Sequence, residues 1–95
     1  MASNKDNPQR SNGVAGPDGL VRTRKAEDDL SIMVAVALAG PTGDELMKYI
    51  RAITIEQVAG PEITDHHLRH LEGMRYLCAI LERRRETGKE LRRGK

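Results

Sequence analysis

The sequence predicts an all-α fold, a small bundle of about three helices that follows an extended N-terminal arm. Apolar residues recur every three or four positions after residue 42, which is the spacing of one helix face. Gly-Pro pairs at residues 40–41 and 60–61 divide this part of the chain, and such pairs follow the ends of helices. We therefore expect a basic arm over residues 1–25, a helical domain over 26–87 and a basic tail over 88–95.

The predicted arm is rich in Ser, Asn, Gly, Pro and Gln. It cannot bury enough apolar surface to fold alone, so we expect it to be disordered or to lie in extended form along a partner. Pro17-Asp18-Gly19 is a turn signal. Three isolated apolar residues are candidate anchors of the arm on a partner: Val14, Leu20 and Val21.

The first helix is predicted over residues 26–39. Glu27, Asp28 and Asp29 suit the positive end of a helix dipole, and Gly40 followed by Pro41 ends the segment. The alternation in MVAVAL also permits a strand over residues 30–39, although the alanine content favours a helix.

The second helix is predicted over residues 43–57, although the β-branched cluster at residues 53–55 weakens it and permits an earlier end there. Thr42 and Glu45 have the spacing of a capping box, which places the helix start at residue 43 or 44. Leu46, Ile50 and Ile53 then share one helix face, which we expect to be the buried face. Met47 and Tyr49 widen this apolar stripe.

The third helix is predicted over residues 65–87, with Thr64 or Asp65 as its N-terminal cap. Its apolar stripe has spacings of three and four residues and consists of Leu68, Leu71, Met74, Cys78 and Leu81. Gly88 is the predicted stop, and the residues after it are expected to be solvated or bound to a partner.

Gly73 lies inside this third helix, where glycine costs about 1 kcal/mol relative to alanine. It shares a face with Leu77 and Ile80. We predict that another helix crosses closely at Gly73, either from the same chain or from a neighbouring subunit. Glu72 and Arg75 flank the glycine three positions apart, so we expect them to form an ion pair.

The order of these features resembles the Bbp19-like domain of tailed-bacteriophage proteins. In that pattern a glycine precedes a short amphipathic helix, and a later helix opens on Glu-Gly-Gln-Arg. The matching residues lie within about residues 42–81 and are Gly43, Leu46, Tyr49-Ile50-Arg51, Glu72-Gly73-Met74-Arg75, Tyr76-Leu77-Cys78, Ile80 and Leu81. The chain departs from the pattern at Met74, where the family usually has Gln. The resemblance implies a phage-encoded, non-enzymatic protein.

The composition predicts a marginal core. The chain has 95 residues, with two Tyr, no Phe and no Trp, and aromatic side chains normally supply much of the energy of a small core. We therefore expect other chains, copies of this one above all, to complete the fold.

A single cysteine excludes an intramolecular disulfide and favours the cytosol. No signal peptide is expected in the first thirty residues, and the longest apolar run is too short to span a bilayer, so no membrane partner is predicted.

Charge is segregated along the chain. Residues 1–25 carry five basic and two acidic side chains, residues 26–81 carry four and nine, and residues 82–95 carry seven and three. Basic ends can contact nucleic acid or an acidic protein surface, or can simply keep the chain soluble. The candidate phosphate contacts are Arg83, Arg84, Arg85, Lys89, Arg92 and Arg93. No aromatic residue stands among them to stack on bases, so DNA contact is expected to be non-specific.

The residues that could take part in catalysis or metal binding do not form a pattern typical of an enzyme. His66 and His70 are four apart, a metal-ligand spacing, but His67 stands where the H-E-x-x-H template needs Glu. We interpret all three as surface histidines. Cys78 lies on the apolar stripe and is predicted to be a small buried side chain rather than a nucleophile. We expect no catalytic residue, no metal site and no cofactor.

The prediction for function is therefore a structural or assembly protein of a tailed-phage virion. We expect it to be assembled in the host cytoplasm and to dock in several copies on capsid, portal or tail machinery, with other virion proteins as partners. The alternatives are a small DNA-binding or regulatory protein that uses the basic C-terminus, and a homo-oligomeric host-takeover protein.

Overall fold

A computed structural model describes residues 13–94. Two short strands, β1 (Gly13–Ala15) and β2 (Val21–Thr23), precede three helices, which are α1 (Arg24–Ala37), α2 (Gly40–Ile53) and α3 (Asp65–Gly94). The predicted small helical bundle is confirmed. Residues 30–39, which the sequence left between helix and strand, are helical as far as Ala37.

Part of the predicted arm is an antiparallel hairpin. Gly13 pairs with Thr23, and Ala15 pairs with Val21. The turn falls on the Pro-Asp-Gly signal, and Gly19 adopts a φ of 85° there, which favours glycine. Over residues 13–23 the chain therefore folds back on itself instead of extending along a partner. Residues 1–12 of the predicted arm lie outside the described residues.

The first two helices both begin earlier than predicted. Thr23 caps α1, because its Oγ1 accepts a hydrogen bond from the N–H of Ala26 at 3.2 Å. The α2 helix begins at Gly40, with Pro41 in its first turn and no side-chain cap, so the predicted capping box is not the helix start. Proline suits the first turn because its φ is already helical and no N–H partner is needed. The same helix ends at Ile53, at the β-branched cluster that the sequence offered as its earlier end, and not at residue 57.

The α3 helix has 30 residues and is about 45 Å long at 1.5 Å per residue. It forms the spine against which α1 packs along much of its length. The prediction that Gly88 ends this helix is wrong, as is the separate tail over residues 88–95, because the helix continues to Gly94. Gly88 is buried where α1 crosses: a β-carbon there would overlap the backbone oxygen of Ser31 and lie 2.7 Å from the β-carbon of Ala35.

The core is thin. Its buried apolar side chains are Ala35, Leu38, Met47, Leu71 and Cys78. Gly43 brings α2 against the end of α1, since a β-carbon at position 43 would overlap the Leu38 carbonyl. The Cα atoms extend over 55 × 35 × 15 Å along the principal axes. The described part of the chain is therefore flat, and few of its side chains are completely buried.

Polar side chains of α3 hold the ends of the other two helices. Arg75 donates to the Thr54 carbonyl at 3.0 Å and to the Gln57 carbonyl, and Arg85 donates to the Leu38 carbonyl at 2.8 Å. These carbonyls follow the last turns of α2 and α1, where backbone oxygens lack helical partners. The arginines of α3 therefore act as caps for neighbouring helices.

Candidate functional site

A buried ion pair joins α1 to α3. Glu27 and Arg84 are 7% and 4% exposed, and the Arg84 guanidinium donates to both carboxylate oxygens, at 2.7 Å and 3.3 Å. It also donates to the Ser31 hydroxyl at 3.2 Å. Both charges are thus paired and hydrogen-bonded, as burial of charge requires.

The hairpin is attached to this ion pair. Arg22 on β2 lies 2.8 Å from Asp18 in the turn and 3.2 Å from Glu27, and Asp18 lies 3.5 Å from Arg84. The Arg84 hydrogen bond holds the pKa of Glu27 below its usual range, although burial opposes that shift. The pKa of Asp18 is lowered chiefly by its hydrogen bond with Arg22. Four paired charges therefore link the hairpin, α1 and α3.

An open cleft of about 470 Å³ lies beside these charges, between the hairpin, the start of α1 and the middle of α3. Val14, one of the candidate arm anchors, is half-buried and lines it, as does Ile80. The Tyr76 hydroxyl donates to the Pro17 carbonyl at 3.2 Å and so closes one side of the cleft. The other two candidate anchors, Leu20 and Val21, are exposed on the hairpin.

The structure separates the candidate phosphate contacts. Arg84 is buried with Glu27, so its predicted role in phosphate binding is wrong. Arg85 contacts Asp44 as well as the Leu38 carbonyl. The remaining candidates occur along the helical C-terminal half of α3 and are Arg83, Lys89, Arg92 and Arg93. The net charge of residues 82–95 does not indicate which of the arginines form ion pairs or hydrogen bonds within the fold.

Gly73 lies on an open surface. Nothing within 4 Å meets a β-carbon built there, so among residues 13–94 no helix crosses at this position, and the within-chain form of that prediction is wrong. Leu77, one turn later, is exposed, and Ile80 is half-buried. Arg75 and Glu72 form the predicted ion pair at 2.9 Å. A close approach at Gly73 by a neighbouring subunit stays a prediction.

The α2 helix presents a second apolar surface. Gly43 and Met47 are buried against the core and Ile50 is half-buried, whereas Leu46, Tyr49 and Ile53 are exposed. The prediction that Leu46, Ile50 and Ile53 together form the buried face is therefore only partly right. Because Gly43 must lie against the Leu38 carbonyl, α2 is rotated from the predicted orientation. We call the exposed residues Leu46, Tyr49, Ile53 and Val58 the α2 stripe.

An apolar pocket of about 320 Å³ adjoins the α2 stripe. Ile53 and Val58 belong to both, and Ile63, Leu71 and Met74 provide further apolar walls. His67 and His70 also line the pocket. The sequence predicted that these histidines lie on the surface, and no spacing signal indicates a pocket formed by a loop folded over a helix.

The three histidines and Cys78 are the other residues considered for metal binding or catalysis. His66, His67 and His70 are exposed, and among residues 13–94 no three His, Cys, Asp or Glu side chains are grouped to hold a metal ion. Cys78 is 1% exposed, which confirms the prediction of a buried small side chain.

No single helix within residues 13–94 is long and apolar enough to cross a bilayer, and α1 with α2, bent by 100°, meets the length and composition requirement only as a pair.

Comparison of the chain with known protein families, with characterised proteins and with solved structures gave no match.

Proposed function

We propose that this chain is a non-enzymatic assembly protein that acts in several copies within a tailed-phage virion, docked on capsid, portal or tail machinery. One observation carries the proposal: the fold leaves more large apolar side chains in water than it buries. Among residues 13–94, five apolar residues are buried, whereas eleven large ones are exposed, at fractions from 36% to 91%. Four of these residues form the α2 stripe, and an apolar surface on one side of a helix is typical of sites of protein–protein contact.

Energetics support the need for other chains. Full burial of one large apolar side chain contributes about 1.5–3 kcal/mol, and among residues 13–94 only three large ones, Leu38, Met47 and Leu71, are buried. Exposed side chains such as Tyr49, Leu77 and Val58 would add their share on association. A protein that gains stability from its neighbours in this way is suited to a repeating assembly.

The charged groups support a structural role. Glu27, Arg84, Asp18 and Arg22 satisfy one another, and Arg75 and Arg85 cap helices. These side chains are engaged in holding the fold together and are not poised for proton transfer. The assignment to a phage rests on the resemblance to the Bbp19-like domain, which includes Gly43, a position that the packing reserves for glycine.

Mass spectrometry of purified particles tests the proposal. Particles of the phage that carries this coding sequence should contain the chain at a copy number comparable to that of portal or tail subunits. Complete absence from washed particles contradicts the proposal. In that case a pull-down from host lysate distinguishes a host-takeover role, and a gel shift on duplex DNA at several salt concentrations distinguishes a DNA-binding role through Arg83, Lys89, Arg92 and Arg93.

A further inference from the structure

We propose that two copies of this chain associate through the α2 stripe, with Tyr49 of each copy inserted into the apolar pocket of the other. The inference rests on the proposed assembly function and deepens it by naming the first contact between copies. The first observation is that the aromatic side chains are exposed. The chain contains two tyrosines and no Phe or Trp, and both tyrosines are more than half exposed, Tyr49 at 61% and Tyr76 at 55%.

The two tyrosines differ in what surrounds them. The Tyr76 hydroxyl is bonded to the Pro17 carbonyl, so this ring already contributes to attachment of the hairpin. Tyr49 stands on α2 between Leu46 and Ile53, which are exposed at 46% and 42%. Tyrosine exposed within an apolar surface is the residue type most often found as an interface anchor, because it buries a large ring at a small entropic cost.

The pocket is suited to a tyrosine ring. Its walls include Ile53, Val58, Ile63 and Met74, and its volume is about 320 Å³. A buried tyrosine hydroxyl needs a hydrogen-bond partner, and His67 and His70 line the same pocket and carry ring nitrogens that can donate or accept. The chemistry of the pocket therefore matches a side chain with an apolar body and a polar tip.

A second copy is the occupant that this geometry favours, because the projecting ring and the pocket belong to the same surface. Ile53 lines the pocket and follows Tyr49 by four residues on α2, a displacement of about 6 Å along the helix. If two α2 helices lie antiparallel about a two-fold axis between these positions, each Tyr49 faces the pocket of the other copy. Such self-complementarity is the defining property of an isologous interface.

The available area also suits a dimer. The four residues of the α2 stripe are exposed at 46%, 61%, 42% and 91%, the equivalent of more than two fully exposed side chains. At about 150 Å² or more for a fully exposed large side chain this gives roughly 350–400 Å² of apolar surface. A standard interface takes about 800 Å² from each partner, of which rather more than half is apolar. The stripe and the pocket walls together therefore provide the apolar part of one interface.

Sedimentation equilibrium over a hundredfold concentration range, with the full chain, tests the inference. The wild type should dimerise, and Tyr49→Ala and Val58→Asp should each raise the dissociation constant at least ~30-fold. Both residues are highly exposed in the single chain, so the far-ultraviolet circular dichroism of the variants should be unchanged. Met33→Glu is the matched control, because Met33 is 57% exposed on α1 and belongs neither to the α2 stripe nor to the pocket walls, and it should dimerise like the wild type.

A cross-linking experiment gives a positive readout. The photo-cross-linker benzoylphenylalanine at position 49, in a mixture of isotopically light and heavy chains, should form light–heavy cross-links within residues 53–74. A wild type that stays monomeric throughout the concentration range overturns the inference, as does a dimer that neither variant weakens. Failure of the proposed function is separate: a dimer with these properties that is absent from particles contradicts the virion role alone, and a monomer that is abundant in particles contradicts the dimer alone.

Discussion

The two interior glycines of α3 give the sharpest prediction, because one is packed and the other is open. Substitution of alanine for glycine inside a helix gains about 1 kcal/mol from propensity alone. At Gly73 nothing opposes this gain, since no atom lies within 4 Å of the new β-carbon. Gly73→Ala should therefore raise the free energy of unfolding of the single chain by about 1 kcal/mol, and the melting temperature by about 5 °C.

At Gly88 the same substitution must force α1 and α3 apart. The new β-carbon would overlap the Ser31 backbone oxygen, and its 2.7 Å distance to the Ala35 β-carbon would have to reach the 3.4 Å at which ordinary contact begins. Overpacking against backbone costs about 3 kcal/mol at the upper end of its range. After the propensity gain, Gly88→Ala should lose about 2 kcal/mol and melt about 10 °C lower.

Urea denaturation followed by circular dichroism measures both effects. The concentration should be low enough for sedimentation to show monomer, so that contacts between copies do not contribute. The wild type and the two alanine variants should keep similar m-values, because the surface exposed on unfolding hardly changes. If Gly88→Ala is as stable as the wild type, or if both variants shift in the same direction, the described packing of α1 on α3 is incorrect.

Three further predictions concern the buried ion pair and the open face of α3. Arg84→Met should lower the free energy of unfolding by about 3 kcal/mol at neutral pH, because the buried Glu27 carboxylate then keeps only Arg22 as a charged partner. Glu27→Leu combined with Arg84→Met should recover most of that loss, and a double variant as unstable as the single one contradicts this. Since the folded pKa of Glu27 lies below its ordinary value of 4.5, the ion pair stabilises the fold above that pH and loses its contribution as the pH falls through the folded pKa. As the pH is lowered, the difference in unfolding free energy between wild type and Arg84→Met should therefore shrink. A difference that stays constant down to the lowest pH at which the wild type is folded refutes the attribution of this difference to the ionised Glu27–Arg84 pair. Gly73→Leu should preserve helicity yet reduce incorporation into particles if a neighbouring subunit approaches there, and normal incorporation would leave Gly73 without a packing role.

The sequence predicted the helices well where local chemistry decides them. The Gly-Pro pair after residue 39 and the apolar periodicity after residue 65 placed the starts of the three helices within a few residues of their positions. The end of α3 was misplaced, because the helix continues past residue 87 to Gly94. The Pro-Asp-Gly signal marked a turn that does form. The hairpin around it was missed because its strands have only three residues each, too few for alternation to be visible.

What the sequence could not give is which residues meet across long separations. Glu27 and Arg84 are 57 positions apart, so a buried pair and a basic surface patch look identical along the chain. The glycine in contact with another helix was expected at position 73 and lies at position 88, because the register of α1 on α3 is set by tertiary packing. The orientation of α2 was partly misjudged for the same reason, and with it the exposed α2 stripe.

The dependence of thermal stability on protein concentration tests most directly the claim that other chains complete this fold. Association that buries the exposed apolar side chains stabilises the folded chain by mass action, so each tenfold increase in concentration should add about 1.4 kcal/mol to the stability of a dimer. We expect the melting temperature to rise by several degrees per tenfold step, in parallel with the dimer fraction. A monomer that melts at one high temperature at every concentration would contradict the account.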